Sequence, residues 1–418
     1  MIDQLSAGRR RRRVAVIGAG AAGTMAAIFS ATAGAETVLI ERTRDGGRKI
    51  LISGGGRCNV LPAQLDEARF VTDSSPNTLR KIVRAWPLAE QIAFFEGELG
   101  IPLIEETESA KLFPASHRAR DVRDGLLAYA ARQGVALRMD TTVTGLAPVS
   151  GGWRVSMADS EPLEVDAVIV AAGGLSVPTT GSDGFGLRAL AALGHTIHST
   201  YAALTPVVCD PAPFGALSGV SFPVTLTARG AGRSASASGG FLFTHRGYSG
   251  PSVLDVSHVV VRARAEEDRE AAISVRWTSL SDPELDSMLR PRGARTVLGA
   301  LRAHLPDRLA SALLSRAGVD VARSLAELTR DERRRIVDTL THGDLPWTGD
   351  EGYKKAEVTG GGVSLAEIDP RTMESRLQPG LFLCGELLDA FGPIGGYNFL
   401  WAWATGRSAG RAAGREQY

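Results

Sequence analysis

The chain has 418 residues, 44% of them hydrophobic, which is enough to bury more than one sizeable core. Its 47 basic and 46 acidic residues nearly cancel, so no global field gathers nucleic acid or an anionic membrane, and small molecules are the expected partners. The three cysteines, Cys58, Cys209 and Cys384, form no C-x-x-C pair; neither a disulfide framework nor a dithiol redox motif is indicated, which fits a reducing cytoplasm.

In chain order, the first feature is a run of five arginines, Arg9 to Arg13. The apolar stretch behind it is short, broken by glycines and without a cleavage-site pattern. It reads as neither signal peptide nor membrane span, and the arginines are expected to form a solvated arm before the first strand. Then "VAVIGAGAAGTMAAIFSATAGAETVLIER" has the pattern strand, glycine turn, alanine-rich helix, strand. Gly18 permits the tight turn, Gly20 leaves room for a pyrophosphate, and Gly23 lets the helix approach the sheet, with Ala22 in the same turn. The unpaired N–H groups at the helix start favour the diphosphate's charge. Glu41, followed by Arg42, ends the second strand, where a carboxylate can accept from both hydroxyls of an adenosine ribose. These features predict a dinucleotide site but leave NAD and FAD open, because both share the ADP half.

Next comes "GRKILISGGGRCN", residues 47–59, with a triple glycine, Arg57 and Cys58. The segment "GVALRMDTTVTGLAPVSGGWRVSM" alternates like strands of a small sheet interrupted at Gly151-Gly152. "EVDAVIVAAGGLSVP" reads as a buried strand ending in a small-residue turn, Ala171 to Gly174, that lets backbone pass close to a dinucleotide. Residues 202–281 show strand-like alternation. Residues 283–340 show helical spacing with Pro306 near a helix start, and their arginines alternate with acids as on a solvated face. The last stretch, "PGLFLCGELLDAFGPIGGYNFLWAWATGRSAG", repeats the logic of strand, glycine turn and helix, and these later elements favour FAD.

These residues carry a resemblance that spans nearly the whole chain. "GRKILISGGGRCN", "LFPASHRARDVRDGL", "FLFTHRGYSGPSVLDVSH" and the long C-terminal signature from "EVTGGGVSLAEIDP" through "GPIGGYNFLWAWATG", in that order, are similar to the BaiN-like (YhiN-like) flavoproteins. The resemblance implies an α/β fold: a discontinuous Rossmann-like FAD-binding domain (1–201 and 355–418), an inserted β-barrel-like domain (202–282 and 341–354) and a small helical domain (283–340). It implies non-covalent FAD, with Arg48 and Lys49 near the pyrophosphate and Gly55 and Gly56 along the ribityl and isoalloxazine region. Val143 would contact adenine through its backbone, and Ala172 and Gly173 would pass close to the dinucleotide. Gly385 and Glu386 would hold the ribityl and pyrophosphate. Ile394, Gly395, Gly396, Tyr397 and Asn398 would lie beside the flavin pyrimidine edge. The chain departs from many members after "RCN", where it has Val60-Leu61-Pro62 in place of a polar pair.

The chemical candidates follow. Tyr397 and His245 are proton donors to consider, since delivering hydride to one carbon requires protonating its neighbour. Arg57 suits either an anionic substrate group or an internal carboxylate. Cys58, lacking a partner cysteine, reads as a thiol packed against the cofactor more than as a redox centre. No metal-ligand spacing and no G-x-S-x-G elbow occurs, so neither a metal nor acyl transfer is expected. The expected activity is that of an FAD-dependent oxidoreductase exchanging hydride between flavin N5 and a small organic substrate, with a C=C bond as target and NAD(P)H as transient donor. The alternatives are an oxidase using oxygen and a non-catalytic or RNA-modification-associated FAD-binding protein. Substrate is expected between the flavin face and the insert, with His245 and Tyr248 on one wall and Arg57 and Tyr397 on the other.

Overall fold

The run Val14–Ile17 is β-branched except at Ala15 and buried on both faces, as the centre of a parallel sheet requires. In the computed structural model, which describes residues 10–290 and 293–415, the strand Arg13–Ile17 lies in the middle of a five-stranded sheet. The order is Leu381–Leu383, Ala167–Val170, Arg13–Ile17, Glu36–Ile40, Ala136–Arg138, and every pairing is parallel. Parallel strands deliver all their C-terminal ends to one edge, where a Rossmann sheet binds its ligand. The fold is that of a Rossmann-type FAD-binding domain, α/β with additional antiparallel sheets.

The helix Ala21–Thr32 follows the first strand and packs against the C-terminal helix Tyr397–Gly414. A side chain at Gly406, Gly410 or Gly414 would come within 2.4, 2.2 or 2.5 Å of the carbonyl oxygens of Ala22, Ala26 and Ser30. These glycines recur every four residues and so form one stripe along the helix. Each costs about 1 kcal/mol of helix propensity relative to alanine. The close backbone approach they permit compensates by burying Ala22, Ala26, Ala404 and Ala409.

The chain divides into two units, residues up to Thr200 together with Val358 onward, and Tyr201–Glu357. Within the first unit, two three-stranded antiparallel sheets accompany the parallel one: Leu61–Pro62, Lys111–Pro114, Leu103–Glu106, and Val143–Val149, Gly152–Met157, Leu163–Val165. Arg9 lies outside the described residues. The arginines after it do not form a purely solvated arm: Arg10 pairs with Asp166 at 3.0 Å, and Arg12 donates to the carbonyl of Arg415 at 2.9 Å.

The second unit is built on a seven-stranded antiparallel sheet whose longest strands are Ser221–Gly230 and Arg233–Phe243, with the helix Pro251–Ala265 packed on both. Its short helices begin where the sequence caps them. Ser281 with Glu284 and Thr329 with Glu332 form reciprocal capping boxes, and Pro306 precedes the helix Asp307–Arg316. The arginines of this segment meet acids, as Arg323 with Glu332 at 2.7 Å and Arg333 with Asp286 at 2.6 Å.

Candidate functional site

Four strand ends meet at the carboxyl edge of the parallel sheet. After Ile17, Gly18 turns the chain so tightly that a Cβ there would lie 2.6 Å from the carbonyl oxygen of Ala171, and one at Gly23 would lie 1.8 Å from that of Gly18. A Cβ at Gly20 would meet nothing within 4 Å, so the turn is closed behind and open in front of the helix start. After Ile40, Glu41 is buried and bonded on both oxygens: Oε2 accepts from Ala19 N at 2.8 Å, and Oε1 from Thr43 N at 2.8 Å and Thr43 Oγ1 at 2.7 Å. The carboxylate therefore shapes the backbone on both sides of it, at Ala19 in the glycine turn and at Thr43. Arg42 pairs with Asp183 at 2.5 Å. Thr141 N donates to the carbonyl of Glu41 at 2.8 Å, which draws the strand beginning at Val143 beside this corner.

The third and fourth ends carry the remaining polar groups. Beyond Val170 the chain runs through Ala172 and Gly173, and beyond Leu383 through Gly385 and Glu386. Glu386 is the acceptor of a cluster. Its Oε2 lies 2.6 Å from Lys49 Nζ, and its Oε1 accepts from Ser176 Oγ at 2.5 Å and from Thr359 N and Oγ1 at 3.0 Å each. Lys49 Nζ also donates to Ser176 Oγ at 2.6 Å.

Lys49 stands on a short helix, Arg48–Ile52, whose entry is held from outside. The buried Arg123 guanidinium donates to the carbonyls of Asp45 at 3.0 Å and Gly46 at 3.4 Å. Arg48 pairs with Asp45 at 2.7 Å, and this hydrogen bond holds the Asp45 carboxyl below the usual range. Past the helix, Gly54 and Gly55 take left-handed conformations (φ 55° and 67°), a backbone that glycine adopts without penalty. Gly54 to Gly56 are exposed, and so is Ile52, at 53%. An exposed isoleucine beside a bare glycine shelf is the surface an aromatic ring system would cover. The open space at Gly20 and this shelf both fit a dinucleotide extending from the helix start. Cys58 is fully buried, and burial pushes its thiol up to about 12, so it packs and does not react as a thiolate.

The C-terminal signature forms the last wall. Asn398 pairs with both the N–H and the carbonyl of Gly392, each at 2.9 Å, which closes the loop that contains Ile394, Gly395 and Gly396. Beside it lies a hollow of about 290 Å³ lined by Gln64, Asp66, Arg69, Ser109, Ile394 and Tyr397 among others. The Tyr397 ring is buried. Its hydroxyl accepts from Asp66 N at 3.2 Å and donates to the carbonyl of Gln64 at 3.4 Å, and the Arg69 guanidinium stands 5.3 Å from its ring. Arg57 pairs with Glu106 at 2.8 Å and covers the Phe113 ring. Glu106 in turn accepts from Ser109 at 2.6 Å, and these two partners, Ser109 first, hold its carboxyl below the usual range. A chain of contacts thus connects Arg57 to the hollow that Tyr397 lines.

His245 lies in the second unit, exposed in the turn between Phe243 and Gly247. Tyr248, expected on a cleft wall, is instead 1% exposed within an aromatic cluster of Phe214, Phe241 and Phe243, where burial, with Cys209 adding to it, raises its hydroxyl's pKa. An alternating strand reads the same on either face, so periodicity could not tell core from cleft. Reading from sequence also missed Ser176, Thr359, Arg123 and Glu106. Thr359 and Arg123 stand inside the quoted signatures "EVTGGGV" and "RARDVRDGL", but nothing in those strings shows which carboxylate or carbonyl they reach.

A family model described as HI0933-like protein Rossmann domain matches residues 12–412. A ribosomal RNA dihydrouridine synthase of Escherichia coli (strain K12) is 31% identical over 400 residues, covering 93% of this chain and 95% of that protein. A 3-dehydro-bile acid delta(4,6)-reductase of Clostridium scindens is 30% identical over 414 residues, covering 96% and 98%. Among solved structures, 3-ketosteroid delta1-dehydrogenase from Sterolibacterium denitrificans, in complex with 1,4-androstadiene-3,17-dione, has a TM-score of 0.53 at 12% identity, covering 96% of this chain and 99% of that one, a likeness of fold.

Proposed function

The chain belongs to the HI0933-like Rossmann family, an FAD-dependent oxidoreductase family, and from that premise we propose that it reduces a carbon–carbon double bond conjugated to a carbonyl. The carrying observation is the Gly18–Gly23 turn at the carboxyl edge of the sheet, open at Gly20; with Glu41, the Lys49–Glu386 pair and the exposed Gly54–Gly56 shelf, it is read as the cradle for FAD. Bound FAD supplies hydride exchange at N5. The chain has one such fingerprint, so NAD(P)H is read as a transient donor and not as a second resident dinucleotide.

The residues present suit that chemistry. Glu41 and Glu386 offer acceptors for hydroxyls, and the helix start at Ala21 offers N–H groups for the diphosphate. Saturating a conjugated double bond adds hydride at one carbon and a proton at the other. Tyr397 and His245 are the proposed proton donors, with the Tyr397 hydroxyl held in place by the backbone of residues 64 and 66. Arg57, aligned by Glu106 and Phe113, is proposed to bias the substrate carbonyl end by its charge.

The relatives' names support the bond type: a dihydrouridine synthase and a delta(4,6)-reductase each denote such a reduction. They also carry a second reading, in which the double bond belongs to a uracil within RNA. That reading stands against the small-molecule preference drawn from the near-neutral charge. The experiment is anaerobic reduction of the yellow protein by NADPH or NADH, followed by reoxidation with a cyclic enone in one arm and unmodified ribosomal RNA in the other. Reoxidation by the enone alone supports a small-molecule reductase; reoxidation by RNA alone supports the second reading. A flavin that neither nicotinamide reduces, or that only oxygen reoxidises, sinks the proposal. His245→Ala and Tyr397→Phe should retain the flavin spectrum while slowing reoxidation by at least about tenfold. Parent rates in both variants would make the two residues structural.

A further inference from the structure

We propose that Lys49 is a positioning residue for Glu386, the counter-ion that keeps this carboxylate in place as the acceptor for the ribityl hydroxyls, and not a ligand of the pyrophosphate. The inference rests on the FAD reading above and goes beyond it in separating two roles that proximity to the cofactor alone would merge.

The geometry is specific. Glu386, in the turn after Leu383, receives donors from three separate segments: Lys49 from the short helix, Ser176 from the loop after the strand Ala167–Val170, and Thr359 from the strand Val358–Val363. Thr359 Oγ1 also accepts from Leu175 N at 2.7 Å and Ser176 N at 3.1 Å, so its own hydrogen is directed to Glu386. Ser176 likewise donates to Glu386 and accepts from Lys49. The cluster is therefore a set of donors converging on one carboxylate, and Lys49 is the cation among them. Two of the three ammonium hydrogens are directed at Glu386 and Ser176.

Charge explains why a cation belongs there. Glu41 already stands on this edge, and a dinucleotide brings a negatively charged diphosphate to the helix start beside it. Glu386 is only 17% exposed and its other donors are neutral. Without Lys49 it would face that anion uncompensated, in surroundings where water screens poorly. With Lys49 bound, the carboxylate keeps its charge balanced and its orientation fixed.

The test separates the two halves of the cofactor. Apoprotein of the parent, Lys49→Met, Lys49→Arg, Glu386→Gln and the Lys49→Met/Glu386→Gln double variant is titrated with FAD and, separately, with ADP, which has the diphosphate but no ribityl chain. Lys49→Met should weaken FAD by about tenfold or more and leave ADP within about twofold, with Lys49→Arg recovering most of the loss. In the Glu386→Gln background the same lysine change should have little further effect, as expected for residues acting as one unit. Retained ADP binding also reports that the variants fold. Equal losses for ADP and FAD would make Lys49 a diphosphate ligand and overturn the proposal, as would additive losses in the double variant or unchanged FAD affinity in Lys49→Met. A parent that binds ADP but not FAD overturns the FAD reading itself, a failure visible before any variant is made.

Discussion

The two units use polar residues in opposite ways. In the Rossmann unit, polar groups gather at the carboxyl edge of the sheet: Glu41 with Ala19 and Thr43, Glu386 with Lys49, Ser176 and Thr359, Asp389 with Thr72 and Ser74. In the insert, the interior is aromatic and aliphatic, centred on Phe241, Phe243, Tyr248 and Trp277, and the charges pair on the outside. The contrast teaches that the first unit adds to its apolar core a polar edge suited to a ligand, whereas the second concentrates its aromatic side chains in a core of its own.

The contrast breaks most sharply at Gly23. In Gly23→Val the side chain would collide with the Gly18 carbonyl, and flavin content should fall by about a hundredfold or more because neither backbone can yield. The insert's near-ultraviolet aromatic signal should survive; its collapse would show that the units do not fold separately. A second test addresses the insert. His258 is buried in the helix Pro251–Ala265, and burial, with Arg262 and Arg233 adding to it, lowers its pKa to about 4 from an ordinary 6.5. The unfolded chain therefore binds a proton that the native insert refuses. Stability is retained above about pH 6.5 and lost as pH falls towards 4, by up to about 3 kcal/mol. His258→Gln should flatten that acid limb in urea titrations, and an unchanged limb would move the acid sensitivity elsewhere.

Smaller in effect is Glu41→Gln. The amide nitrogen of glutamine would face either Ala19 N–H or the Thr43 donors, so a charge-assisted bond is lost and a donor is left opposed to a donor. FAD affinity should drop about tenfold or more, in line with about 1.5–3 kcal/mol for such a bond. Full affinity in apoprotein titration would place the ribose away from this residue. Smallest of all is Cys58. Iodoacetamide should leave it unmodified in the native protein at pH 8, as peptide mapping would show, and Cys58→Ala should keep its flavin. Rapid alkylation would contradict a thiol held near 12.

Legibility followed the same division. The Gly18-x-Gly20-x-x-Gly23 turn and its acid at Glu41 could be read because backbone clearance and spacing are written directly into residue type. In the insert, periodicity could be read for the long strands and for the helices of 283–340, but the helix Pro251–Ala265 lies inside the span that reads as strand-like alternation, because its buried face is rich in β-branched valines that suit either structure. The cluster around Glu386 could not: Lys49, Ser176, Thr359 and Glu386 lie far apart in sequence, on a short helix, a loop after one parallel strand, a strand of a separate two-stranded sheet and a turn after another parallel strand, and only the tertiary fold brings them together. Tyr248 failed for the converse reason, since a tyrosine in a glycine-rich turn carries no mark of the aromatic cluster that encloses it. Arg57 could be read as needing an anion, but its partner in this structure, Glu106, belongs to a strand that no motif singled out.

The glycine stripe of the C-terminal helix has a consequence for how the molecule is made. The helix that follows the nucleotide turn has, as its closest companion, a helix from the far end of the chain, held by contacts that only Gly406, Gly410 and Gly414 allow. On the ribosome the turn emerges early, and its partner emerges only after the whole insert has been synthesised. Such long-range closure is slow compared with local folding. Until then the first helix has an alanine-rich face without its packing partner, the kind of transiently uncovered apolar surface that makes an incomplete chain prone to association.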